Sequence, residues 1–151
     1  MSFFLRPARS TDAGKLGAIL TEAVAANPWK PRLHTGAEDI AHMAGMIDRG
    51  WVTVAEHLDK PLILGFLARE EDFIHAVFIS PQARGEGVGR ALMDAAKAQS
   101  ERLSLWTFQA NTGAQRFYQR EGFVEASRGD GSNNEEGLPD IEYHWMRKAA
   151  T

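Results

Sequence analysis

The chain of 151 residues has no cysteine. That absence excludes a disulfide framework, a thiolate zinc site and a cysteine nucleophile, and it suits a reducing compartment. Long apolar runs are also missing. No stretch approaches the roughly 18 residues a membrane span needs, and MSFFLRPARSTD lacks the apolar centre of a signal peptide. A basic excess is missing too. Lys and Arg number 17 against 20 Asp and Glu, for a formal net charge of -3. No basic stripe is present to track a phosphate backbone, so nucleic acid is not an expected partner. The reading is a cytoplasmic protein with no membrane and no nucleic-acid role.

What is present fits one compact domain over residues 1–151, since 44% hydrophobic and 25% charged residues are ordinary for a globular chain. Phe3 to Arg6 reads as a strand, with Ser10 as the cap of the helix that follows. Leu16, Ile19, Leu20, Ala23 and Val24 recur at helical spacing up to Asn27-Pro28. Ile40, Met43, Ala44 and Ile47 form a second stripe, closed by Gly50. Trp51 to Glu56 and Leu62 to Arg69 read as a hairpin. Phe73 to Ile79 is almost wholly apolar, as a central strand covered on both faces would be. A helix with Val88, Ala91, Leu92, Ala95 and Ala96 follows. Then come a strand from Leu103, a helix from Asn111 to Arg120 and strands at Phe123 to Ala126 and Ile141 to Met146, with a polar loop from Arg128 to Pro139. The order is β-α-α-β-β-β-α-β-α-β-β. It implies an α/β mixed sheet, mostly antiparallel, flanked by about four helices, with one parallel crossover between Phe73 and Phe108.

The most informative stretch is FIHAVFISPQARGEGVGRALMDAAK. A strand enters a loop with Arg84, Gly85, Gly87 and Gly89, and that loop opens a helix. Glycines let successive amides turn inward, and the first helical amides have no internal acceptors. With the helix dipole, they form a site for a phosphate or pyrophosphate. The plainer alternative is a flexible turn before a helix. The P-loop Lys-Ser/Thr pair is missing, and the glycine spacing is not that of the dinucleotide fingerprint.

Arg84-Gly85-Glu86-Gly87-Val88-Gly89 resembles the coenzyme A pyrophosphate loop of GCN5-related N-acetyltransferases. Asn111-Thr112-Gly113-Ala114-Gln115-Arg116-Phe117-Tyr118-Gln119-Arg120-Glu121-Gly122-Phe123 resembles a second block of that family, in the right order. The resemblance implies that fold over essentially the whole chain. It implies acetyl transfer from acetyl-CoA to a primary amine of a small molecule or peptide, with coenzyme A as product. The alternative on the same fold is a regulatory acyl-CoA-binding module without turnover. A homodimer is compatible with the resemblance.

The resemblance also implies roles. Backbone groups of Val77, Phe78 and Ile79 would pair with the pantetheine arm like an added strand. Arg84, Gly85, Glu86, Gly87, Val88, Gly89 and Arg90 would surround the pyrophosphate. Asn111 would contact the cofactor or cap its helix. Tyr118 would be the acid near the leaving sulfur, against the alternative of a packed tyrosine. His75 would be the base, since an imidazole exchanges its proton near neutral pH. It shares one strand face with Phe73, Val77 and Ile79, and its alternative is a hydrogen-bonded core histidine. Glu70, Glu71 and Asp72 could serve through water. Trp29, Arg32 and His34 fall where relatives place acceptor groups, and Glu135 and Glu136 could attract a cationic amine. The histidines show no metal-ligand spacing, so no metal is expected.

Overall fold

The computed structural model describes residues 2–148. Seven strands form one sheet: β1 (Phe3–Pro7), β2 (Val52–His57), β3 (Ile63–Glu70), β4 (Phe73–Ile79), β5 (Arg102–Phe108), β6 (Val124–Gly129) and β7 (Asp140–Met146). Their spatial order is β1-β2-β3-β4-β5-β7-β6. Among the described residues only the β4–β5 neighbours run parallel. The helices are α1 (Ala13–Ala26), α2 (Gly36–Asp48), α3 (Val88–Ala98) and α4 (Thr112–Arg120). The expected element order and mixed sheet are therefore present.

Each face of the sheet carries its own core. Leu16 of α1 and Met43, Met46 and Ile47 of α2 pack on Val52, Val54, Phe66 and Ala68. Val88, Leu92 and Met93 of α3 and Tyr118 of α4 pack on Leu64, Leu67, Leu103, Leu105, Ile141 and Tyr143. α1 and α2 approach closely at Gly17, where a Cβ would stand 2.7 Å from the Ile40 Cα. The first core contains residues of β2, β3 and β4 and none of β5, β6 or β7. One face of the β5-β7-β6 half is therefore left without a helix.

Ser10 does not cap α1. It lies in a one-turn 3₁₀ helix, Ser10–Asp12, and Asp12 stands at the helix start. Asp12 is committed elsewhere. Its carboxylate accepts from the two terminal guanidinium nitrogens of Arg6 at 2.8 and 3.1 Å and from the Arg9 amide at 2.7 Å. Arg6 also holds Glu56 at 2.7 Å, so β1, β2 and the entry to α1 are tied at one point. The Arg6 hydrogen bonds hold the Asp12 carboxyl below its usual range.

The strand covered on both faces is β3, where Ile63 to Ala68 are all buried. In β4 only Ile74 is fully buried. β4 is the more apolar by composition, six of seven residues against five of eight in β3, so the difference comes from their neighbours. β4 meets β5 at a single register pair, Phe73 with Ser104, and the two strands then part.

The candidate active site at the β4–β5 split

The split exposes the tail of β4, and a bulge decides which groups face it. Ala68 pairs with Ala76, but Arg69 pairs with Ile74, so His75 is the extra residue. Beyond it the Ser80 amide bonds the Leu64 carbonyl at 2.8 Å. Backbone groups alternate along a strand. Phe78 therefore turns its amide and carbonyl to β3, while Val77 and Ile79 turn theirs to the split. Side chains shift phase as well. Val77 and Ile79 join the face of Ile74, under α3, and Ala76 and Phe78 join the α1/α2 face. The regular alternation of Phe73, His75, Val77 and Ile79 does not hold, because the bulge lies between them.

α3 begins directly beyond β4. Gly85 and Gly87 have φ of 78° and 85°, a region that side-chain-bearing residues avoid. The first bond in α3 runs from the Ala91 amide to the Gly87 carbonyl. The amides of Val88, Gly89 and Arg90 thus have no acceptor inside the helix. Val88 is only 1% exposed, so its side chain is core and only its backbone reaches the loop. A Cβ on Gly89 would stand 3.0 Å from the Phe117 ring and 3.5 Å from Ile79. Three separate segments therefore converge here: the end of β4, the start of α3 and the middle of α4. Arg84 and Arg90 are both exposed beside them. An open strand edge leading to unpaired helical amides fits a pantetheine arm ending in a pyrophosphate.

Asn111 caps α4, its Oδ1 accepting the Ala114 amide at 3.1 Å. Tyr118 is buried against Phe117, Phe123 and Tyr143. Burial pushes its hydroxyl up to about 12. No hydrogen bond of that hydroxyl occurs among the described residues, yet no fully buried side-chain polar atom there lacks a partner. The oxygen therefore retains contact with the surface. His75 is not a core histidine. It stacks on Trp51 at 4.9 Å, meets Phe73 edge-on, and its Nε2 lies 2.9 Å from Glu70 Oε1. Tyr118 and His75 thus belong to opposite faces of the sheet.

The acceptor candidates come together in part. Arg32, His34, Glu135 and Glu136 line one cleft of about 140 Å³, with Asp39 and His42. His34 Nε2 meets Glu135 Oε1 at 2.7 Å, joining the α1–α2 and β6–β7 loops. Hydrogen bonding to Glu135 raises the His34 pKa. Trp29 stays outside the cleft lining and packs edge-on against Phe108 at 5.6 Å.

The helix-free sheet face carries polar and aromatic residues that no motif marks. Trp106 is 44% exposed on β5. On β7, His144 Nε2 lies 3.1 Å from Glu142 Oε2, and Ser127 donates to Glu142 at 2.9 Å. The His144 hydrogen bond lowers the Glu142 pKa. The signal was the polar phase of β7, Glu142 and His144, alternating with buried Ile141 and Tyr143. Among the described residues there is no cluster of three or more metal-ligating side chains, and no helix is long and apolar enough to cross a membrane.

An acyl-transfer protein of the mixed-sheet type is what this split, loop and helix define, and comparison with known proteins gives the family. Residues 48–125, just over half the chain, match the Acetyltransferase (GNAT) domain. The chain belongs to the GNAT acetyltransferase family. Peptidyl-lysine N-acetyltransferase YjaB of Salmonella typhimurium is 29% identical over 136 residues, covering 86% of this chain and 89% of that protein. Peptidyl-lysine N-acetyltransferase YiaC of Escherichia coli is 39% identical over 62 residues, 40% of this chain and 42% of that one. The solution structure of apo YjaB from Escherichia coli superposes with a TM-score of 0.78 at 24% identity, covering 95% and 97% of the two chains. Salmonella typhimurium yncA, solved with its cofactor acetyl-CoA, gives 0.74 at 17% identity, covering 100% and 98%.

Proposed function

We propose that this protein transfers the acetyl group of acetyl-CoA to the ε-amine of a lysine in a peptide or protein, as a single-domain cytoplasmic enzyme. The observation that carries the reading is the parting of β4 from β5 beside the Gly87-headed helix. The names of the YjaB and YiaC relatives support lysine as acceptor. So does the carboxylate-bearing cleft formed with Glu135 and Glu136.

Acetyl-CoA supplies an activated acetyl thioester. The free amides of Val88, Gly89 and Arg90, with Arg84, would hold its pyrophosphate. Backbone groups of Val77 and Ile79 would hold the arm, and one amide there would polarise the thioester carbonyl. Asn111 acts through its cap, by fixing the start of α4.

A lysine amine near pKa 10.4 is charged at neutral pH, and freeing it costs about 4–5 kcal/mol. His75, backed by Glu70, is the base for that proton, directly or through water. Tyr118 is the acid. A phenol at about 12 keeps its proton throughout the working range. Full transfer to a thiolate, whose acid has a pKa of about 8.5, runs uphill. Tyr118 therefore serves as a hydrogen-bond donor to the departing sulfur rather than giving its proton away. The second proton, shed by the nitrogen as the amide forms, goes to the departing thiolate directly or through water.

A panel of lysine peptides, peptides with only a free α-amine, and small amines, read by thiol release, tests the acceptor. Lysine peptides should turn over fastest. Binding of acetyl-CoA with no lysine acetylation would remove this reading. An unaltered pH-rate profile in His75→Gln would remove the base.

A further inference from the structure

The helix-free face of the sheet holds a second cavity, separate from the His34–Glu135 cleft. It measures about 360 Å³ and lies between β5 and the β6–β7 loop. Its lining includes Trp106, Asp130, Asn133, Asn134 and Asp140, and no lysine or arginine. The site is built rather than accidental. Asn134 Nδ2 reaches Asp140 Oδ2 at 3.1 Å and the Leu138 carbonyl at 2.8 Å. Gly129 allows the Asp140 carboxylate to lie over the backbone, since a Cβ there would collide with Asp140 Oδ1 and touch the Trp106 ring at 3.7 Å.

The indole itself is the more telling feature. Trp51 carries Arg49 over its ring at 5.1 Å, and Trp145 carries Lys97 at 5.4 Å and Arg147 at 6.0 Å. Trp29 packs against Phe108. Trp106 has no cation and no ring against it among the described residues, although it is the tryptophan flanked by two carboxylates. An exposed π-face beside Asp130 and Asp140 has the chemistry of an organic-cation site.

Its position ties it to the reaction. Trp106 lies on β5, the strand that borders the split, two residues beyond Ser104 of the β4–β5 pair. The β6–β7 loop joins the cavity to the acceptor cleft, since Asn133 and Asn134 line the one and the next two residues, Glu135 and Glu136, line the other. We propose that the Trp106 cavity binds a second cationic side chain of the acceptor, a lysine or arginine one or two residues from the acetylated lysine. The enzyme would thereby select dibasic segments. This inference rests on the peptidyl-lysine reading.

The test uses two capped peptides that differ only in carrying Lys-Gly-Arg or Lys-Gly-citrulline, so that shape is kept and charge is lost. The arginine peptide should show a kcat/KM about fivefold higher, the size of one exposed cation–π contact with a half-exposed ion pair. Trp106→Leu and Asp130→Asn should each bring that ratio toward one. A second readout is independent of turnover: the ¹⁵N-indole resonance of Trp106, assigned with Trp106→Phe. It should move with the arginine peptide and not with citrulline. Equal kcat/KM for both peptides in the unmodified enzyme, with no selective indole shift, overturns the cavity's role while lysine acetylation stands. A selective indole shift with neither peptide acetylated supports the cavity and removes the lysine reading alone.

Discussion

The two flanks of the β4–β5 split are built from different materials. The coenzyme flank comes from short contiguous segments, 77–90 and 111–118, and its proposed contacts are largely backbone groups of Val77, Ile79, Val88, Gly89 and Arg90. Its side chains, such as Val88 and Tyr118, are core. The acceptor flank joins segments about a hundred residues apart, through exposed ionic contacts such as His34 with Glu135. A backbone-built wall needs a particular chain path and places few demands on side-chain identity. A side-chain wall on loops is cheap to alter and weak in each contact. One flank is thus suited to a constant ligand and the other to a choice among ligands.

The largest expected effect lies outside both flanks, at the start of α1, the opposite end of that helix from Arg32 and His34. Asp12→Asn leaves the Arg6 guanidinium half-paired in a nearly buried site and should lower stability by about 3 kcal/mol. Denaturant unfolding would show it, while acetyl-CoA affinity of the folded fraction should hold. The folded pKa of Asp12 is depressed, so its contribution is complete above the ordinary carboxylate value of about 4 and is lost as pH falls below it. The variant should lack that acid limb. Next in size is Tyr118→Phe. Losing one hydrogen-bond donor to the leaving group should cut kcat about a hundredfold, with acetyl-CoA binding by calorimetry unchanged. Unaltered kcat would leave Tyr118 as packing only.

Gly87→Val strikes the coenzyme flank alone. Holding a β-branched residue at φ 85° costs about 1–2 kcal/mol, so acetyl-CoA should bind roughly tenfold more weakly while acceptor KM stays constant. The smallest effect belongs to His34→Gln on the other flank. The His34 pKa is raised by Glu135, so the charged pair is present below the ordinary imidazole value and is lost as pH rises through the folded one. Acceptor KM in the native enzyme should change about twofold across that window, and the variant should be flat. A matching change in acetyl-CoA KM would contradict the division into flanks.

The same division governs what could be read from the residues. Gly85, Gly87, Gly89 and the Asn111 to Phe123 block announce themselves because unusual backbone and capping leave a local signature. Asn111 does cap its helix. The helices and the order of elements along the chain were also legible, being set by periodicity. The pairing of His34 with Glu135 was not, since nothing local records a contact across a hundred residues, although both were acceptor candidates. Ser10 looked like a cap until Asp12 proved to be held by Arg6 from β1. β4 is more apolar than β3, yet β3 is the sealed strand, because their neighbours decide it.

The extra residue at His75 has a consequence for how such a chain can change over time. Ile74 and Ala76 stand two residues apart and yet face opposite cores, because the residue between them is unpaired. A chain without that residue would pair Arg69 with Ile74 and Ala68 with Ala76 in plain succession. Val77, Phe78 and Ile79 would keep their present sides, and the amides at the split would keep their direction. What would be lost is the local bend and twist that a bulge adds. Insertions and deletions are usually tolerated in loops and punished in strands. Here one codon inside a strand can be gained or lost without reversing either core, so length can change at this position at the cost of curvature alone.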